Sequence, residues 1–189
     1  MENSTGSFRY SDVPDDYWAA KYINAACSIK LISEDKEFNP DMPIQYSEAV
    51  KILVSAAGYE MAASQNGGWP SGYLVIASKI GILKGISNKD GSVTRLDAVK
   101  MIDNTLDVKI MDTYYNGVYE QTDKTILSEY LKINIISGTI SEVDKKNKKI
   151  KVDTNGTETW YDLAQGIDAA LIVEDEADIY VSDDRYGKK

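Results

Sequence analysis

Asp12-Val-Pro-Asp-Asp-Tyr-Trp-Ala-Ala-Lys-Tyr-Ile-Asn-Ala-Ala26 returns in degenerate form further along the chain, and that recurrence decides the fold. At an offset of 51, Trp18 falls on Trp69, Tyr22 on Tyr73, Ile23 on Leu74, Ala26 on Ala77, Ile29 on Ile80 and Ile32 on Leu83. Past the next loop the offset drops to 49, which pairs Ile44 with Val93, Glu48 with Asp97, Ala49 with Ala98, Val50 with Val99 and Lys51 with Lys100. The second copy has therefore lost two loop residues (51 against 49). Self-similarity at this period marks a supersecondary unit too small to bury its apolar face alone, one that is stabilised by stacking on its neighbours.

Each copy reads as a helix, an extended loop and a second helix. Over 17–31, Trp18, Tyr22, Ile23, Ala26, Cys27 and Leu31 recur at three- and four-residue spacing, the pattern of one helical face. Asp15 or Asp16 is placed to cap that helix and to complement its dipole. Asn39-Pro40 and Met42-Pro43 keep the following loop extended. A second helix is expected over 46–57, with Ala49, Val50, Leu53, Val54 and Ala57 inward and Gly58 as its C-terminal cap. Thr94-Arg-Leu-Asp97 reads as a capping-box variant in the second copy, whereas Gln45 fills the same slot in the first, a poorer cap by ~1 kcal/mol. Between the copies, Gln65-Asn-Gly-Gly-Trp-Pro-Ser-Gly72 is a turn-rich connector in which Ser71 is placed to cap the next helix, and Gly81 allows a tight exit from it.

Composition removes more functions than it offers. The 189 residues suffice for one large or two small domains. Without histidine and with a single cysteine, imidazole bases, Cys/His nucleophile pairs and Cys-based zinc sites are impossible. Cys27 lies on an apolar helix face and reads as a buried structural residue. Only Asp/Glu pairs remain as acid and base, and no such pair can be set across a cleft from sequence, so no enzyme, catalytic residue, metal ligand or cofactor is expected. The net charge of −9 disfavours nucleic acid and anionic membranes, and no apolar run is long enough to span a bilayer. The first residues lack the features of a signal peptide, which leaves either an intracellular protein or a mature fragment of an exported one.

After Asp107 the pattern changes. The expected organisation is a leader over 1–7, repeats over 8–59 and 60–108, an irregular linker over 109–124 and a small β domain over 125–185. Leu131, Ile133, Ile135 and then 137–143 read as one long strand with a bulge or bend at Gly138. A strand over 148–153, an Asn155-Gly156 turn and a return over 157–161 follow, with a last strand over 178–182. The segment 163–176 is ambiguous between short helix and strand. Lys145-Lys-Asn-Lys-Lys149 is most simply a solvated hairpin turn. Glu174, Asp175, Glu176, Asp178, Asp183 and Asp184 lack the spacing of a calcium loop and read as solvated charge. The fold class is α+β: two mainly helical helix-loop-helix repeats, then a small antiparallel sheet or barrel of the oligosaccharide-binding kind.

The two copies resemble S-layer homology repeats, which open with Phe-x-Asp-Val, pass through Trp-Ala and Phe-x-Pro, and end with Thr-Arg-Ala-Glu at a helix start. The first copy offers Tyr10-Ser-Asp12-Val13, Trp18-Ala19, Phe38-Asn-Pro40 and Glu48-Ala49. The second offers Trp69, Gly81-Ile82-Leu83, Lys84-Gly85 and Thr94-Arg95-Leu96-Asp97-Ala98. The connector is especially similar to that of repeat pairs in surface proteins of clostridia and their relatives, and the resemblance covers residues 8–108.

What the resemblance implies is an extracellular protein, held non-covalently to a secondary cell wall polysaccharide or peptidoglycan in grooves between repeats. The alternative is a structural or assembly module of a surface layer. Arg95 would clamp an acidic substituent such as a ketal-linked pyruvate, and Asp97 would orient it or bond a hydroxyl. Trp18, Trp69 and Tyr73 would stack on sugar faces. Trp18 also lies on the predicted core face, where packing alone accounts for it, and Arg95 is equally consistent with a local salt bridge. Tyr46 stands in the first copy's arginine slot, an exposed contact of its own or a degenerate position. The family usually packs three repeats, so a third is implied, upstream or from another chain, and the pair alone should expose an apolar face. The acidic total opposes an acidic polymer, although screening over ~8 Å makes the local groove more decisive.

Overall fold

The computed structural model describes residues 10–87, 90–115 and 118–182, so the expected leader and the end of the β domain beyond Ser182 lie outside the described residues. The chain divides into two compact units, 1–126 and 127–189. It is α+β, as the sequence pattern requires.

The first unit carries the duplication. Repeat 1 contributes α1 (Ala20–Ser28) and α2 (Tyr46–Ala56), and repeat 2 contributes α4 (Ser71–Lys79) and α5 (Arg95–Leu106). A short helix, α3 (Glu60–Gln65), lies between α2 and the turn-rich connector, too short for its apolar spacing to show a helical period. α1 is shorter than expected because its ends are set by turns. It starts at Ala19 without a side-chain cap, so neither Asp15 nor Asp16 caps it. It ends where Lys30 takes φ +61° and the Leu31 N–H donates to Ala26 O, a left-handed C-terminal closure. Gly81, the same position one repeat later, has φ +87° and needs no strained side chain there. Pro70, not Ser71, occupies the cap of α4, with no side-chain hydrogen bond. The Thr94 cap of α5 is as expected: its hydroxyl accepts from Asp97 N (3.1 Å) and donates to Asp97 Oδ2 (2.9 Å).

Packing follows the order of the repeats. The main core joins Tyr46, Val50, Val54 and Ala57 of repeat 1 and its connector to Tyr73, Ile76, Ala77, Ile82, Ile86 and Met101 of repeat 2. α2 of the first repeat thus packs on α4 of the second. α1 belongs to a separate small cluster, with Tyr10, Val13, Ala20, Ile23 and Cys27 buried together. Cys27 is buried as expected. Trp18, expected on a core face, is instead 77 % exposed, because it precedes α1 in a turn and does not join the helix's buried face. The segment 109–124, expected to be an irregular linker, forms a hairpin of β1 (Lys109–Tyr115) and β2 (Val118–Thr125). It docks on the end of α2 through Met111 N to Ala57 O (3.1 Å) and Tyr59 Oη to Lys109 O (2.9 Å). A Cβ on Gly58 would lie 2.7 Å from Met111 O, so the close approach requires glycine there, which also has φ +84°.

The second unit begins with α6, whose span Ile126–Tyr130 starts at the unit boundary, and continues with a four-stranded antiparallel sheet in the order β5-β4-β3-β6. The strands are β3 (Ile133–Asp144), β4 (Lys149–Thr154), β5 (Thr157–Asp162) and β6 (Glu176–Ser182). β5 and β6 are the outer strands, so the described sheet is open and the barrel alternative is corrected. Gly138 is a site of close approach to β4, with a virtual Cβ 2.6 Å from Asp153 O, whereas the register shift falls between Ile140 and Glu142. Asn155 and Gly156 both have positive φ, as a tight hairpin turn requires. The lysine-rich segment is a turn, organised by Asp144 accepting from the amides of Lys146 and Asn147. The ambiguous segment contains a short 3-10 turn, Ala169–Leu171, capped by Asp168.

Candidate functional site

An open cleft of about 850 Å³ lies within the first unit, between Tyr10 and the loop after α1 on one side and α2 on the other. Its walls are apolar where Leu31, Ile32, Met42, Ile44 and Ile52 contribute, and polar where Gln45, Glu48 and Lys51 do. Trp69 closes one side. A mostly apolar concavity with a few convergent polar groups is the usual form of a ligand site.

The loop wall is fixed from the N-terminal segment. Asp12 accepts from Phe38 N (2.8 Å) and Asn39 N (2.6 Å), and these bonds, led by that from Phe38, hold its carboxyl below the ordinary carboxylate range. Ser11 N also donates to Lys36 O (3.0 Å). The Tyr10 hydroxyl donates to Ser33 O, and burial, followed by the hydrogen bond with Cys27, pushes its pKa far up. Asp12 and Phe38 thus meet because one is the anchor of the other's loop. On the opposite wall Glu48 accepts from Gln45 N (2.9 Å), which completes half of a capping box at the start of α2.

The six residues expected to contact polymer are dispersed. Trp69 is the one that lines the cleft; it is 52 % exposed, with the Lys51 ammonium 5.8 Å from its ring centroid. Tyr73 lies behind it, ring centroids 6.1 Å apart, but is buried and its hydroxyl contacts Glu60 (3.3 Å). It is therefore a support for Trp69, not a free sugar platform. Tyr46, expected to be exposed, is buried in the junction between the repeats, and its hydroxyl has no hydrogen-bond partner among the described residues. Burial, with a smaller contribution from the Asp97 charge, raises its pKa. Arg95 is exposed at the start of α5, with no hydrogen bond or ion pair among the described residues. Asp97 is committed to the Thr94 cap and does not orient Arg95. Trp18 stands against Tyr17 (6.0 Å between centroids), away from the cleft lining.

Sequence reasoning missed Lys51, Gln45 and Glu48 as candidates. The signal was present: Lys51 aligns with Lys100 and Glu48 with Asp97, so polar residues recur on one side of the trailing helix in both copies. No helix among the described residues is long and apolar enough to cross a membrane.

Tandem helix-loop-helix units with an open cleft, followed by a separate small sheet, define a repeat-built module. The chain is 35 % identical over 131 residues to the middle cell wall protein of Brevibacillus brevis, covering 67 % of this chain and 12 % of that protein. It is 29 % identical to the surface layer protein of Brevibacillus choshinensis, over 93 % of this chain and 18 % of that protein. It is 28 % identical to the cell surface protein of Thermoanaerobacter kivui, over 77 % of this chain and 17 % of that protein. It is an S-layer-related cell-surface protein, located at the cell wall or outside it. The chain spans less than a fifth of the length of each of these relatives. No family model matches the chain, and no solved structure matches it.

Proposed function

We propose that the repeat pair is a non-catalytic module that holds its parent protein to a cell wall glycan, a secondary wall polysaccharide or peptidoglycan. The observation that carries this reading is the half-exposed Trp69 indole on the rim of an open, partly apolar cleft. A pyranose ring stacks its C–H face on such an indole, while Gln45 and Lys51 offer donors to its hydroxyls. The rim is acidic, with Asp35, Glu37 and Glu48 against Lys51, so the cleft favours an uncharged sugar residue. Arg95, outside the cleft and without an ion-pair partner among the described residues, is the group suited to an acidic substituent along the same polymer.

Sedimentation with purified sacculi, before and after chemical removal of the secondary polymer, tests the reading. Wild type is expected to co-sediment, Trp69→Ala to lose most of that binding, and Arg95→Ala to lose it only where the polymer is acidic. Binding unchanged in both variants would remove the site assignment.

One observation favours a second reading, a structural or assembly role in a surface layer. α1 with its flanking residues exposes Trp18, Tyr22 and Ile29, and α5, the other outer helix of the pair, exposes Leu96, Val99 and Ile102. Such faces call for a further repeat, from upstream in the parent protein or from another chain.

A further inference from the structure

The two exposed faces can be read against the one place where the chain shows how its repeats pack. At the internal junction α2 meets α4. Val50 is 0 % exposed there and Tyr73 is 5 % exposed, with Ile76 and Ala77 also buried. Shifting by the repeat offsets carries most of the buried or half-buried positions of this junction to exposed ones, although Ala77 falls on the half-buried Ala26. Val50 becomes Val99, 63 % exposed, and Leu53 becomes Ile102; Tyr73 becomes Tyr22, 61 % exposed, and Ile80 becomes Ile29. The face of α5 is thus the unused copy of the α2 face, and the face of α1 is the unused copy of the α4 face.

We propose that a second copy of this chain docks head to tail, the α5 face of one molecule seating on the α1 face of the next as α2 seats on α4. This deepens the assembly reading given above and rests on it. The partner is identified by continuity: the residues that would meet are repeats of residues already in contact within the chain. The match is inexact, since Asp103 stands in the place of Val54 and Ala25 in the place of Ile76. The smaller Ala25 leaves room for a hydrated carboxylate, and the contact is weaker than the internal one. Because the two faces differ, the contact is heterologous and each molecule keeps one free face after the first contact.

Sedimentation velocity over a range of concentrations, without any wall material, tests the proposal on the 189-residue chain. Wild type is expected to form dimers and longer species as concentration rises. Val99→Glu and Tyr22→Glu, both at exposed positions and checked for native circular dichroism, should each be monomeric at concentrations where wild type associates. An equimolar mixture should recover dimers and nothing larger, since one intact α5 face and one intact α1 face remain. A monomeric wild type overturns the proposal and leaves these faces to a further repeat of the parent protein. Association that survives either substitution, or a mixture that fails to dimerise, overturns it as well. Trp69→Ala should associate as wild type does, so loss of glycan binding and loss of self-association are read separately.

Discussion

Repeats 1 and 2 share their helices but not their interiors. In repeat 2, Ile82 and Met101 are fully buried against each other's surroundings; the same positions in repeat 1, Leu31 and Ile52, line an open cleft. The cause lies in how each loop is held. In repeat 2 the Asn104 amide donates to Ile82 O and Lys84 O, both at 2.9 Å, and draws the loop onto α5. The equivalent residue in repeat 1 is Ser55, too short to reach, and its hydroxyl is buried without a partner among the described residues. The repeat 1 loop is tied instead to the N-terminal segment through Asp12. One repeat has become core and the other has kept a concavity, and the proposed glycan site lies in the second of these.

The largest expected difference is at the paired core positions. Met101→Ala should cost about 2–5 kcal/mol, because it removes a buried side chain that the packed interior cannot replace. Ile52→Ala, at a position already facing the cleft, should cost well under half of that. Urea unfolding followed by amide exchange in α2 and α4 measures both. Equal losses would mean that repeat 1 is as closed as repeat 2.

Next is the contact of α3 with α4. A Cβ on Gly72 would come 2.0 Å from Ala63 O, a backbone atom, so Gly72→Ala must separate the two helices, at a cost of about 1–3 kcal/mol. Lys21 holds the same place in repeat 1, where it is exposed, and Lys21→Ala should shift the midpoint of the same titration hardly at all. A tolerated Gly72→Ala would show that α3 is not seated against α4.

The helical architecture was legible because apolar spacing and an internal repeat are local properties of sequence. The trailing helices, the Thr94 cap, the Gly81 exit and the Asn155-Gly156 turn all fell where their residue chemistry put them. The leading helix was overextended because Trp18 and Leu31 continue its apolar period, while the local turns that end it, such as the left-handed Lys30, carry no glycine or side-chain cap to announce them. The β1–β2 hairpin was hidden by its polar, tyrosine-rich composition, and is held by bonds to Ala57 and Tyr59 that no local pattern announces. The site was least legible. Candidate positions such as Tyr46 and Tyr73 are drawn into the repeat junction, and the cleft arises from the difference between Ser55 and Asn104, which becomes meaningful only once the loops are folded.

A smaller effect is expected at the caps. Thr94→Ala removes an acceptor for Asp97 N and should destabilise α5 by about 1 kcal/mol, whereas Gln45→Ala should cost a few tenths. Thermal unfolding of the two variants side by side ranks the caps, and a larger loss for Gln45→Ala would reverse the reading of which repeat is better built.

The last difference concerns pH. Asp12 grips the repeat 1 loop with a carboxylate whose pKa is lowered by the Phe38 and Asn39 amides. A lowered folded-state value means that the anchoring is fully present above the ordinary carboxylate range and is lost as pH falls through the folded value, below about pH 4. The Asn104 grip on the repeat 2 loop has no titrating group. Acid should therefore open the first loop before the second, seen as faster exchange at the Phe38 and Asn39 amides with little change at α5. Asp12→Asn keeps an acceptor but loses the charge, so it should weaken the grip at neutral pH and abolish its acid dependence. If both loops loosen together on acidification, Asp12 is not what separates the open repeat from the closed one.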